Sequence, residues 1–256
     1  MKIRDAIVPY HPKDRDTVRV CLKSLKFVLG VERVFLVCSE DQHIPRGIFV
    51  DERNATSLLS IEQIRGHVLP GREGWIFQQL LKLGAPSYIP DLSDVFMVCD
   101  SDIIFLVNPY AAIPDGKVPW SKAFDGSVHR PYWDHFLRLM QMVPPSEFSF
   151  INHHAIWHKE AISSFLDSIC ERNSKPWDRA IVDCLDANEQ SGFSEYNFVG
   201  QMYQLCLRDG GKGPHEVLVE VPIRIKNVKH LPTQHDVSQA RSEGYHILSS
   251  QQWSRK

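Results

Sequence analysis

Short apolar runs that close on proline or on acids alternate with segments of helical period through the N-terminal part of the chain. That alternation restricts the fold to an α/β sheet. Ile3–Tyr10 reads as a buried strand closed by Pro9. From Asp14 to Leu29 the apolar residues Val18, Cys21, Leu22, Leu25 and Leu29 recur at helical spacing, and Gly30 follows as a stop. RVFLVCSED and GIFVDE supply a second and a third strand. Strand–helix–strand units with short connections put helices on both faces of a mostly parallel central sheet. A helix over Gly74–Leu83 then leads into the strand that carries Cys99, and KAFD and FSFINHHAIW read as further strands. Helices are expected at Trp133–Met140, Lys159–Glu171, Trp177–Ala187 and Ser194–Arg208. EVPIRIKNVKHL reads as a last strand before a polar tail. RDGGKGP reads as a loop, its glycines lacking the strand-to-helix setting of a phosphate-binding loop.

Composition narrows the function classes. Lys and Arg number 29 against 31 Asp and Glu, a net charge of −2, so no basic surface for nucleic acid is implied. The six cysteines form no CxxC pair and sit mostly in apolar runs, which fits a reducing compartment. The N-terminal stretch has no signal-peptide core, and nowhere is there an apolar run long enough to span a bilayer. The expectation is a soluble cytoplasmic protein.

One stretch carries chemistry. In VFMVCDSDIIFLVNPY, Asp100-Ser101-Asp102 interrupts an apolar run that resumes at once. A buried carboxylate costs several kcal/mol unless a cation pairs with it. Residues two apart on an extended segment point to the same side, so Asp100 and Asp102 can face one cation. Hard oxygen ligands with room for phosphate oxygens suit Mn²⁺ or Mg²⁺. In open α/β sheets such a strand end is also where ligands bind. The plain alternative is an acidic surface turn, since a bare D-x-D is common.

This segment resembles the D-x-D segment of glycosyltransferases of the GT-A (Rossmann-like) fold. IVPYHPKD, GWIFQQLLKLGA and GFSEYNFVGQMY are similar to motifs of small polysaccharide-type transferases of bacterial glycan clusters and large algal viruses, including chlorella-virus xylosyltransferases. The resemblance implies one glycosyltransferase domain over residues 1–256. Residues 1–110 would form the nucleotide-sugar half and 111–256 the acceptor and catalytic half. It implies a nucleotide-sugar donor, UDP-linked by default with a lean to UDP-xylose, and a hydroxyl of a glycan as acceptor. Pro9, Tyr10, His11, Gln78, Lys82, Asp100, Ser101 and Asp102 would contact the donor. Asp100, Asp102 and a histidine from a late strand, His230, would hold the metal, with His235 and His215 as rivals. An acid serves as base in inverting members, and Glu195 is the candidate, with Asp125 and Asp178 as alternatives. Glu195 also has a bland explanation, because Ser194 suits a helix cap and an acid suits the first turn. Asp125, His153 and His154 are candidate sugar contacts. In a strand the two adjacent histidines face opposite sides, leaving one for the site and one for structure.

Three other readings compete. A haloacid-dehalogenase-type phosphohydrolase also uses D-x-D after a strand, with the first Asp as nucleophile. Its motif, however, usually lies near the N-terminus, and Ile104 stands where Thr or Val is expected. A sugar nucleotidyltransferase would show a glycine-rich basic loop, and VPYHPKDRD has no glycine. The non-enzyme reading is an inactive glycan-binding module. Oligomeric state is left open.

Overall fold

The computed structural model describes residues 1–115, 117–123, 129–209 and 218–250. Its centre is a five-stranded sheet. Strand β1 (Asp5–Pro9) pairs in parallel with β2 (Arg33–Cys38) on one side and β4 (Val95–Cys99) on the other. Beyond β2 lies β3 (Ile48–Asp51), and beyond β4 lies the antiparallel β7 (His154–His158), giving the order β3-β2-β1-β4-β7. The chain therefore winds outward from β1 to β3 and then returns to the far side of β1. Strand order reverses between β1 and β4.

Both faces of this sheet are covered, which is why its strands read as continuous apolar runs. Ala6, Val8, Leu36, Met97 and Cys99 face helix α1 (Arg15–Phe27), which packs through Val18, Cys21, Leu22 and Leu25. Gly30, at φ 72°, turns the chain after α1 into β2. Ile7, Phe35, Val37, Phe96 and Val98 face the larger layer. That layer contains α3 (Glu73–Tyr88), α4 (Arg130–Met140), α5 (Lys159–Asn173), α6 (Trp177–Asp183) and α7 (Glu195–Asp209). A short α2 (Ile61–Ile64), opened by a Ser60–Gln63 capping box, precedes α3.

The expected mostly parallel α/β sheet with helices on both faces is the observed architecture, but several boundaries differ. The polar tail is structured instead. Residues after His230 form α8 (Gln234–Ser242), opened by a Thr233–Asp236 capping box, and β10 (Ile247–Ser250), which is wholly buried. Strand β10 pairs antiparallel with β5 (Ile103–Phe105) and parallel with β9 (Ile225–Val228). The strand expected over EVPIRIKNVKHL is divided at Pro222. Its first part goes to β8 (Leu218–Glu220), which pairs in parallel with β6 (Val118–Trp120). Lys122 and Ala123 of KAFD are not in a strand, and Phe124 and Asp125 lie outside the described residues, as do residues 210–217, which include most of RDGGKGP. In FSFINHHAIW the strand begins only at His154, because His153 turns left-handed at φ 57°. Helix α3 runs past Leu83 and Pro86 to Tyr88, whereas α6 stops at Asp183, short of Ala187.

Two buried histidines give the fold an acid limit. His135 on α4 donates Nε2–H to the Ile181 carbonyl at 2.9 Å, and burial pushes its pKa down to about 4. His154 donates Nδ1–H to the Asn152 carbonyl at 2.7 Å and accepts the Tyr110 hydroxyl, and burial again lowers its pKa to about 4. Both folded values lie below the ordinary 6.5. Between those values the unfolded chain binds protons that the folded chain refuses, so this part of the stability is lost as pH falls. His135→Phe is expected to lose less melting temperature than wild type between about pH 7 and about pH 5. Equal losses in the two proteins would show that His135 protonates freely in place.

Candidate active site

Strand order reverses between β1 and β4, and the carboxyl ends of the strands at such a reversal are where open α/β sheets bind ligands. Pro9 ends β1, and the Asp100-Ser101-Asp102 turn follows β4. Helix α3 bridges the two ends from one face. Gln78 donates Nε2–H to the Pro9 carbonyl at 3.1 Å, and Lys82, one turn on, reaches Asp100.

Lys82 is the organising charge. It is only 2% exposed, set among Leu80, Leu81 and Leu83. Its ammonium donates to Asp100 Oδ1, to Glu195 Oε1 at 2.7 Å and to the Tyr196 hydroxyl at 3.1 Å. Tyr196 in turn donates to Asp100 Oδ1 at 2.9 Å, and His153 lies on Asp100 Oδ2 through Nδ1 at 3.0 Å. Burial alone would raise the Asp100 pKa, but Lys82 and His153 hold it well below the usual carboxylate range. Burial disfavours the Lys82 ammonium, yet Asp100 and Glu195 together raise its pKa. Glu195 is itself fully enclosed, and burial outweighs Lys82 to leave its carboxyl above the ordinary value.

Asp102 behaves differently. Its Oδ1 is buried with no hydrogen-bond partner, and burial together with the Asp100 charge pushes its pKa up to about 7. Asp5 shows how a purely structural buried acid looks here. Both of its oxygens are satisfied by Arg33 at 2.7 Å and by Ser93, and these donors overcome burial to lower its pKa. The Oδ1 of Asp102 lacks such a partner, and a divalent cation bound there would supply one. Among the described residues no three His, Cys, Asp or Glu side chains stand together as a complete metal site. An orphaned carboxylate oxygen nonetheless fits Mg²⁺ or Mn²⁺, which take one or two carboxylates and fill the remainder with phosphate oxygens and water.

The other sequence candidates fall into three groups. Ser101 is buried in the turn, and His153 sits beside Asp100. Tyr10 is buried with its hydroxyl against the Cys38 thiol, whereas exposed His11 caps the turn Pro12–Asp14 by accepting from Lys13 N–H. The third group stands apart from the cluster. His154 is in the core. The His230 ring pairs with Asp236 at 3.0 Å, although its carbonyl accepts from Ser250, whose N–H donates to the Asp102 carbonyl. His235 is exposed on α8, and Asp178 is consumed by the backbone N–H groups of Leu59 and Arg179. Asp125 and His215 lie outside the described residues. Ser194 does cap α7, accepting from Asn197 N–H at 3.3 Å.

Two residues of the cluster escaped sequence reasoning. Tyr196 joins Asp100 to Lys82, and Gln79 receives the Glu195 N–H on Oε1 at 3.0 Å. A signal for the cluster existed in QQLLKLGA, where a lysine stands inside an apolar helical stretch and therefore needs buried acids.

Comparison with known proteins adds a family. Residues 30–212 match the model described as a family of unknown function, DUF6492. The chain belongs to the DUF6492 family. No curated protein sequence matches this DUF6492 member. Among solved structures it is similar to mouse xyloside xylosyltransferase 1 in its apo form, with a TM-score of 0.52 at 13% identity over 98% of both chains. It is less similar to the galactosyltransferase LgtC in complex with donor and acceptor sugar analogs, with a TM-score of 0.45 at 9% identity over 96% of this chain and 87% of that one. At such identities the likeness is one of fold, which is GT-A-like.

Proposed function

We propose that this DUF6492 member is a glycosyltransferase that moves a sugar from a nucleotide-sugar to a hydroxyl of a glycan acceptor, with a divalent cation at the Asp100–Asp102 turn. The observation that carries this reading is the coincidence of the turn, its orphaned Asp102 oxygen and the end of β1 at one strand-order reversal. A diphosphate is a ligand whose charge calls for a cation at such a strand-order reversal. When bound, the cation would neutralise the charge that develops on the leaving diphosphate. The chain's own residues do the rest. Pro9 to His11 end the strand beside the turn, Lys82 keeps Asp100 ionised, and Glu195 serves as base toward the acceptor. The shared fold with a protein named a xylosyltransferase favours xylose, and UDP-xylose is the donor we assign. No helix of the described residues is long and apolar enough to cross a membrane.

A thermal-shift panel of nucleotide-sugars with and without Mn²⁺ tests the reading, because a ligand that binds only the folded state raises its melting temperature. UDP-xylose with Mn²⁺ is expected to give the largest shift, and chelator to abolish it. Asp102→Asn supplies the control, with effects of opposite sign on binding and stability. The folded Asp102 pKa of about 7 lies above the ordinary 3.8, so the cation-free protein loses stability as pH rises from about 4 to about 7. Asparagine removes that loss. In chelator at about pH 8 the variant should be more stable than wild type by about 1–2 kcal/mol, after allowing for partial solvent screening. Its Mn²⁺-dependent donor shift should disappear. An undiminished donor shift in Asp102→Asn would sink the cation assignment.

A further inference from the structure

The two carboxylates of the turn are not equivalent. Asp100 has donors on both oxygens, with Lys82 and Tyr196 on Oδ1 and His153 on Oδ2. A dication placed directly on Asp100 would share that carboxylate with the Lys82 ammonium, a like-charge contact. Asp102, two residues on, keeps a buried oxygen free.

His153 is held with unusual care. Its backbone is left-handed at φ 57°, a conformation uncommon outside glycine. Its carbonyl accepts the Asp100 N–H at 2.9 Å, continuing the β4–β7 pairing one step beyond the strands. Its Nδ1 is taken by Asp100 Oδ2 at 3.0 Å. Backbone and side chain are thus both fixed by the same aspartate. The ring remains about a quarter exposed, and among the described residues its Nε2 has no hydrogen-bond partner. An imidazole whose Nδ1–H is committed to a carboxylate presents a basic, oriented Nε2, which is the arrangement around metal-ligating histidines. Strain retained at a non-glycine position in a cleft also marks functional sites. His230 lacks these features, since its Nε2 is spent on Asp236 and its ring is about half exposed.

We propose that the divalent cation is held by Asp102 and His153, and that Asp100 is the carboxylate that orients the imidazole instead of a ligand. The remaining positions fall to diphosphate oxygens and water. This assignment rests on the nucleotide-sugar reading, and its test separates the two. Mn²⁺ affinity is measured by calorimetry in the presence of UDP, and nitrogen hyperfine coupling to the bound Mn²⁺ is read by pulsed EPR. His153→Asn is the main variant, because asparagine tolerates the left-handed backbone. It should bind Mn²⁺ weaker by roughly 10- to 100-fold and lose the imidazole coupling, whereas His230→Ala should retain both. If His153→Asn does not fold, as judged by circular dichroism, His230→Ala decides alone: retained coupling supports the assignment and lost coupling overturns it. Coupling absent from wild type that does bind Mn²⁺ also overturns it, without touching the donor reading. Failure of wild type to bind Mn²⁺ with UDP overturns both.

Discussion

Lys82→Met is expected to destabilise the protein by about 3–5 kcal/mol, the usual consequence of removing one partner from a buried ionic cluster. Methionine matches the length of the lysine stem and fills the same space between Leu80 and Leu83, so the loss is electrostatic. Without the ammonium, Asp100 and Glu195 face each other across a buried gap, and Asp100 retains only Tyr196 and His153 as donors. One of the two acids must then take up a proton or stay charged at high cost. The pH dependence follows from the signs. In wild type the Asp100 pKa is lowered, so its contribution is present above the ordinary 3.8 and is lost as pH falls. In the variant a raised carboxyl pKa makes stability fall as pH rises, so the deficit against wild type should widen from about pH 5 to about pH 8. Adding Glu195→Gln should recover part of the loss, because it removes one of the stranded charges. Urea unfolding of the single and double variants measures all of this. A loss under about 1 kcal/mol, or no recovery in the double variant, would mean that the cluster is not an ion pair network.

Much of this architecture is legible in the sequence for one reason. Parallel strands buried on both faces produce unbroken apolar runs, so the segments around Val8, Val37 and Val98 declare themselves, and α1 declares itself through Val18, Cys21, Leu22 and Leu25. Strand β10 does not. ILSS is two polar residues short of an apolar run, and its burial comes from pairing with Ile103–Phe105, a partner more than half the chain away. Helix α8 buries only Ala240, so its period is nearly all polar and it reads as a tail.

The site divides along the same line. Asp100 and Asp102 stand out because acids inside an apolar run demand an explanation that local sequence can pose. Their inequivalence is not local. It arises because α3 carries Lys82 to Asp100 and α7 carries Tyr196 to the same oxygen, while β7 delivers His153 to the other. Lys82, expected to meet a phosphate, is held in this structure by one aspartate and one glutamate, Asp100 and Glu195. The pairing of His153 and His154 was readable only as a fork, one toward the site and one toward the core. The left-handed turn at His153 decides which is which.

Glu195→Gln is expected to lower kcat by roughly 10²–10⁴-fold while leaving donor affinity nearly intact. Transfer to a hydroxyl requires removal of its proton as the new bond forms, and the hydroxyl's ordinary pKa is far above neutral. The leaving diphosphate needs no protein acid if a cation already carries its charge, so one base on the opposite side suffices for in-line displacement with inversion. Two features support the role proposed for Glu195. Burial raises its pKa, which strengthens it as a base near neutral pH, while Lys82 on Oε1 keeps a cation beside the charge. Its backbone N–H is tied to Gln79 and its helix is capped by Ser194, so the carboxylate is held on rigid elements. Glutamine preserves shape and can still accept from Lys82, and Lys82 keeps Asp100, so the fold should survive the change. Three readouts separate the roles. Single-turnover rates should collapse, calorimetric donor affinity should hold, and wild-type product should show the inverted anomeric centre by NMR. A variant that transfers sugar at the wild-type rate would make Glu195 only the second anion of Lys82. A retained anomeric centre would remove the need for a base there and leave the cluster with a structural task.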